Sequence, residues 1–153
     1  MEPIVDKWDL RFLKLADHVA QWSKDPSTKV GAVIVDPERR VISVGYNGFP
    51  RRVEDTEERY ATREIKYELI VHAEANAILT SPQSVKGCTL YTTPLFSCAR
   101  CAGLVIQAGI TRVVSITKED GNIQWGSSLS LAGSMYREAG VSFVIYTPEV
   151  LSA

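Results

Sequence analysis

Apolar residues recur three or four positions apart at Trp8, Phe12, Leu15, Ala16, Val19 and Trp22. This is the stripe of an amphipathic helix over residues 6–23, which Pro26 brings to a stop. Two short β-branched runs at 31–36 and 41–46 flank Pro37-Glu38-Arg39-Arg40 and predict a hairpin. Asn47-Gly48-Phe49-Pro50 ends the second run by turn chemistry. Residues 51–66 are charged and patternless, which predicts a surface loop with a helical portion. Beyond them the period switches back and forth. Helices are expected over 72–80, 98–108 and 127–139, the last two closed by Gly109 and Gly140, and Pro82 closes the first. Strands are expected over 88–93, 112–117 and 141–146, with a turn at Gly121-Asn122. A hairpin followed by alternating helices and strands predicts an α/β fold, a three-layer α/β/α arrangement around a mixed five-stranded sheet. In such sheets ligands bind beyond strand ends, where helices begin.

The 153 residues show no repeats, low-complexity tracts or Gly/Ser linkers, so one domain spanning 1–153 is expected. A chain of this size buries a core without needing a structural metal. Its 17 Lys+Arg against 18 Asp+Glu give a formal charge of −1, which argues against a polyanion as main partner. Met1-Glu2-Pro3-Ile4-Val5-Asp6 lacks the basic start and apolar run of a signal peptide. No uncharged apolar run approaches the ~20 residues that span a bilayer. Three cysteines, an odd number, fit reduced thiols and a cytoplasmic location better than disulfides. No nucleic acid and no membrane are therefore expected among the partners.

Two clusters carry chemistry, and each opens a helix: His72-Ala73-Glu74 and Cys98-Ala99-Arg100-Cys101. A helix N-terminus stabilises thiolates, and a C-x-x-C spacing lets both sulfurs converge on one ion. C-x-x-C alone is shared with redox motifs. His72 adds a third ligand of a type zinc accepts, and three protein ligands leave one tetrahedral position open, the mark of a catalytic site. Cys88 sits inside a strand run and His18 on the first helix, so neither completes a fourth corner. Glu74, two positions past His72, reaches the open position as a proton carrier without being a ligand. H-x-E followed by C-x-x-C is the zinc deaminase signature. The chain departs from it at Ser97, where the pattern has proline; the nearest proline is Pro94.

From Trp8 to about Tyr146 the chain resembles the cytidine/deoxycytidylate deaminases. Ser23-Lys24-Asp25-Pro26-Ser27-Thr28-Lys29-Val30-Gly31-Ala32, Gly45-Tyr46-Asn47-Gly48-Phe49-Pro50 and Lys66-Tyr67 point to the deoxycytidylate (dCMP) branch. Ile106-Gln107-Ala108-Gly109-Ile110, after the cysteines, belongs to the same likeness. The resemblance implies that His72, Cys98 and Cys101 hold Zn2+ and that Glu74 shuttles protons. Asn47, which by itself reads equally as a turn residue, would hydrogen-bond the sugar, and the main chain at Ala73 would read the pyrimidine edge. Lys24, Arg51, Arg52, Arg63 and Lys66 are the basic candidates for a phosphate, each also readable as a solvated charge. The implied reaction is hydrolysis of dCMP to dUMP and ammonia, feeding thymidylate precursor synthesis. The resemblance also implies a homo-oligomer, with a hexamer favoured, and regulation by dCTP and dTTP, with Mg2+ accompanying the regulatory nucleotide.

Three competing functions are distinguishable. A tRNA adenosine deaminase shares the zinc core, but the chain has no basic excess and has a long insert between Pro50 and His72. Free cytidine deaminases usually offer zinc three cysteines, whereas His72 leads here. A zinc-stabilised binding module would need neither Glu74 nor an open ligand position. Trp8, Phe12 and Trp22 read as core or subunit interface, and Trp125 as packing against the sheet.

Overall fold

The computed structural model describes residues 5–117 and 127–152; the Gly121-Asn122 turn and Trp125 lie outside them. Helix α1, Lys7–Ala20, begins where the Asp6 carboxylate accepts the Trp8 and Asp9 N–H groups at 2.9 and 3.0 Å, satisfying two of the donors a helix start leaves bare. Strands β1 (Gly31–Val35) and β2 (Val41–Tyr46) form the expected hairpin. Then come α2 (Glu57–Ala61), α3 (Arg63–Leu69), α4 (Ala73–Leu79), β3 (Thr89–Thr93), α5 (Ala99–Gln107) and β4 (Arg112–Ile116). Helix α6 (Ser128–Ala139), strand β5 (Ser142–Tyr146) and a 3-10 turn at Pro148–Ser152 complete the order. The Ser127 hydroxyl caps α6 at its start. Gly140, at φ 77° in the left-handed region that glycine enters without a Cβ penalty, closes it.

The sheet runs β2-β1-β3-β4-β5. β1 is antiparallel to both neighbours, and β3, β4 and β5 are parallel, so the sheet is mixed as expected. Alternation sends Ala32, Ile34, Leu90 and Val113 to one face, where they pack with Ala73 and Ala77 of α4, Ala102 and Val105 of α5, and Ala132 and Tyr136 of α6. Val33, Val35, Tyr91, Val114 and Ile116 go to the other face and meet Phe12, Leu13 and Ala16 of α1. Both faces are covered, which gives the three layers. Gly45 is required where β2 meets α4: a Cβ there would collide with the backbone of Ala73 and Ala77. That close approach seats the helix bearing Glu74 hard against the sheet.

The charged stretch at 51–66 holds its expected helical portion as α2 and the start of α3, but it is not wholly at the surface: its Tyr60 and Lys66 are buried. Trp22 is half exposed and meets the Tyr46 ring edge-on rather than entering the core, whereas Phe12 is buried. His18 is exposed beside Trp22, and Cys88 is buried just before β3.

Candidate active site

Helices α4 and α5 both begin at the edge where β1 begins and β2 and β3 end, and their first turns bring three ligand-type atoms together. His72 Nδ1 lies 3.5 Å from Cys98 Sγ and 3.3 Å from Cys101 Sγ. All three ligand atoms fall within 4.8 Å of one another. Zinc bonds of about 2.3 Å to sulfur and 2.0–2.1 Å to nitrogen span a tetrahedral S···N edge of about 3.6 Å, so the two measured edges fit that ion. Among the described residues this is the one such grouping of His, Cys, Asp and Glu. Cys98 stands at the N-cap of α5, where its sulfur accepts the Cys101 N–H at 3.5 Å. The Ser128 hydroxyl of α6 accepts the Ala99 N–H at 2.9 Å and braces the same turn.

A hydrogen bond from Cys101 pulls the Cys98 thiol below its usual range against the cost of burial, with His72 and the Cys101 N–H assisting. The same contact, with burial, pushes the Cys101 thiol up. The Cys98 sulfur in turn holds the His72 imidazolium above its usual range, against the cost of burial.

Glu74 is 4 % exposed, and burial pushes its carboxyl up, offset in part by His72 and Cys101. It lines a cavity of about 470 Å³ together with His72, Ala73 and Cys98. Ala73 is fully buried at the first position of α4, where a helix leaves its N–H without an internal partner. Asp25, Thr28, Asn47, Tyr60, Arg63, Lys66 and Tyr67 line the same space, and Leu95, Phe96 and Leu129 supply apolar surface. The bridge Gly48↔Val71 ties the segment after β2 to the one before α4: Gly48 N–H donates to Val71 at 3.1 Å and Val71 N–H to Gly48 at 2.8 Å.

The other basic positions separate clearly. Lys24 is exposed and ion-paired with Asp55 at 2.9 Å. Arg51 and Arg52 are exposed and do not line the cavity. Lys66 does line it but is buried and bonded to Asp25 at 2.8 Å. Arg63 lines it with its guanidinium 5.1 Å from the Tyr67 ring centroid. Asp25 received no role from the sequence; its side-chain partners Asn47 and Lys66 lie 22 and 41 positions away, too far for spacing to show. Ser97, the departure from the signature, is fully buried, and its hydroxyl has no hydrogen-bond partner among the described residues.

Fold and ligand geometry together define a zinc-dependent deaminase domain. The profile described as cytidine and deoxycytidylate deaminase zinc-binding region matches residues 6–117, and the chain belongs to that family. An uncharacterized deaminase from the luxG 3′ region of Aliivibrio fischeri is 42% identical over 139 residues, covering 90% of this chain and 92% of that protein. Mouse deoxycytidylate deaminase is 38% identical over 149 residues, covering 94% of this chain and 82% of that one. Among solved structures, the cyanophage S-TIM5 dCMP deaminase in complex with dCMP and dUMP superposes with a TM-score of 0.72 at 22% identity, over 94% of this chain and all of that one. That likeness confirms the mixed-sheet deaminase fold. No described helix is long and apolar enough to cross a membrane.

Proposed function

We propose that residues 1–153 form a single deaminase domain that hydrolyses dCMP to dUMP and ammonia. The observation that carries this is a buried carboxylate, Glu74, beside a His72–Cys98–Cys101 triad in a cavity of about 470 Å³. That volume lies within the usual range for small-ligand sites. The similarity to deoxycytidylate deaminases at 38% identity selects the substrate. His72, Cys98 and Cys101 would hold zinc. The ion supplies Lewis-acid chemistry that makes water a nucleophile near neutral pH.

Glu74 accepts the proton released by the attacking water and delivers it to ring N3 as the oxygen joins C4. It then takes the proton of the new C4 hydroxyl and passes it to the departing amino group, so the water's oxygen and one hydrogen end on dUMP and its other hydrogen leaves with ammonia. Burial suits Glu74 to this work by raising its affinity for the proton it must carry. The Ala73 N–H, bare at the helix start, reads the pyrimidine edge. Asn47 takes a sugar hydroxyl. Arg63 anchors the phosphate: it lines the cavity, whereas Lys24, Arg51 and Arg52 do not and Lys66 is committed to Asp25.

Three free thiols suit a reducing, cytoplasmic setting. Leu79 at 75%, Trp22 at 51% and Tyr46 at 41% exposure offer apolar surface to a homo-oligomer, with a hexamer as the family resemblance has it. Control by dCTP and dTTP, with Mg2+ beside the effector, belongs to the same reading and rests on the resemblance alone.

The test is ammonia release from dCMP, 5-substituted dCMP, CMP, dCTP and deoxycytidine, with bound zinc measured alongside. We expect dCMP turnover in the wild type. Glu74→Gln should keep its zinc and lose turnover. Zinc without release from any pyrimidine would overturn the enzymatic reading in favour of a binding module.

A further inference from the structure

Three separate stretches of the chain meet at Asp25, which is 3% exposed and lines the cavity. Its Oδ1 accepts the Lys66 ammonium at 2.8 Å, the Ser27 N–H at 2.8 Å and the Thr28 N–H at 3.4 Å. Its Oδ2 accepts the Asn47 amide at 3.2 Å. The second hydrogen of that amide goes to the Thr28 carbonyl at 2.9 Å, and Asn47 Oδ1 accepts the Val30 N–H at 2.8 Å.

An asparagine side chain has two N–H donors and two oxygen lone pairs. Both donors of Asn47 are used inside the protein, and so is one lone pair. What remains is a single acceptor position on Oδ1. Turning the amide over would set its NH2 against the Val30 N–H and its oxygen against the Asp25 carboxylate and Thr28 carbonyl, which only a donor satisfies. The amide therefore has one orientation, and Asp25 supplies the charged half of the lock. We infer that Asp25 is a positioning residue that fixes Asn47 as a pure hydrogen-bond acceptor, so that the cavity selects a ligand donating a hydroxyl at this point. Lys66 serves the same device by compensating the buried carboxylate, which explains a buried lysine in a nucleotide-sized cavity.

The inference rests on the reading of the cavity as a deoxynucleotide site, in which the donating group is the sugar 3′-hydroxyl. The experiment compares kcat/KM for dCMP and for its 3′-deoxy counterpart, 2′,3′-dideoxycytidine monophosphate. A site left with an unmet acceptor rejects the analogue lacking the donor, so wild type should favour dCMP by about 10- to 100-fold. Asn47→Ala should bring the ratio close to one. Asp25→Asn combined with Lys66→Met removes both buried charges together, and it should lower the ratio at least fivefold with KM for dCMP rising more than kcat falls. Lys66→Met alone, which leaves Asp25 in place to hold the amide, should melt earlier yet keep the ratio.

A purely structural Asp25 would move stability in these variants without separating them by ratio. Asp25→Glu keeps the charge but shifts the acceptor by one methylene; it should also lower the ratio and carries the test if the double variant does not fold. An unchanged ratio in whichever Asp25 variant folds, with Asn47→Ala reduced, overturns the positioning role alone. No discrimination in the wild type overturns the sugar-site reading and this inference with it.

Discussion

Asp9 and Glu74 are both buried carboxylates, at 2% and 4% exposure, yet their surroundings drive them in opposite directions. Burial alone would raise Asp9. Arg112 grips both its oxygens at 2.8 and 2.7 Å, and the Tyr91 and Tyr146 hydroxyls donate at 2.9 and 3.2 Å, so its carboxyl is held below the usual range. Glu74 has no comparable clasp, and burial wins. A carboxylate surrounded by donors is a permanent charge tying α1 to β3, β4 and β5. One left short of donors keeps its appetite for a proton. Position in the fold separates the two, since both are carboxylates in the first turn of a helix.

Substitutions test this contrast most severely at the ligands and at Glu74. Cys101→Ser should abolish zinc retention in metal analysis and all ammonia release. Glu74→Gln should lower turnover by about 100- to 10,000-fold while leaving thermal unfolding of the metal-loaded protein no more favourable. Asp9→Asn should do the reverse. Removing one member of a buried pair costs about 3 kcal/mol, the lower end of the usual span because Arg112 stays one-third exposed. Denaturant titration reads that loss, and kcat and KM of the folded fraction should stay at wild-type values. A drop in kcat for Asp9→Asn would show that the two carboxylates are not separate in role.

The pH dependence sharpens the same comparison. Asp9 binds its proton more weakly folded than unfolded, where its ordinary value is 3.8. Its stabilisation is therefore full above 3.8 and is lost as pH falls through the lower folded value. Acid titration of stability should show this loss in wild type and not in Asp9→Asn.

Gly45→Ala should destabilise by about 1–3 kcal/mol through overpacking, because α4 must move off β2, and turnover should fall with it as Glu74 shifts. The smallest effects separate the basic residues. Arg63→Gln should raise KM for dCMP and leave deoxycytidine unaffected. Lys24→Met, outside the cavity, should change neither.

The grouping of His72, Cys98 and Cys101, and the carboxylate beside it, were legible in the sequence because their spacing is local. Two cysteines three apart at a helix start, and a histidine two before a glutamate, carry their geometry in their spacing. The hairpin and the five strands were legible for the same reason, through short β-branched runs bounded by turn and helix signals. Residues 51–66 were legible only as partly helical, because that segment faces water on one side and the cavity on the other, which erases any periodic signal. Lys66 is buried against a partner 41 positions away, and Asp9 against one 103 positions away. Nothing near either residue announces that pairing. Asn47 beside Gly48 reads as a turn locally, and its amide is committed to Asp25, Thr28 and Val30 only once the first loop folds over it.

What the chain determined by itself is the reaction class: which atoms can meet a zinc ion, which carboxylate stands beside them, and the alternating elements that seat them at strand ends. Those follow from i, i+2 and i, i+3 spacing on two helix starts. Only the tertiary structure decided which charges are spent and which are free. It closed Asp9 within Arg112, Tyr91 and Tyr146, and Lys66 within Asp25, and it left Glu74 facing the cavity. The reason is physical. A charge's proton affinity and reach depend on the donors and water within a few ångströms, and those neighbours come from distant parts of the chain.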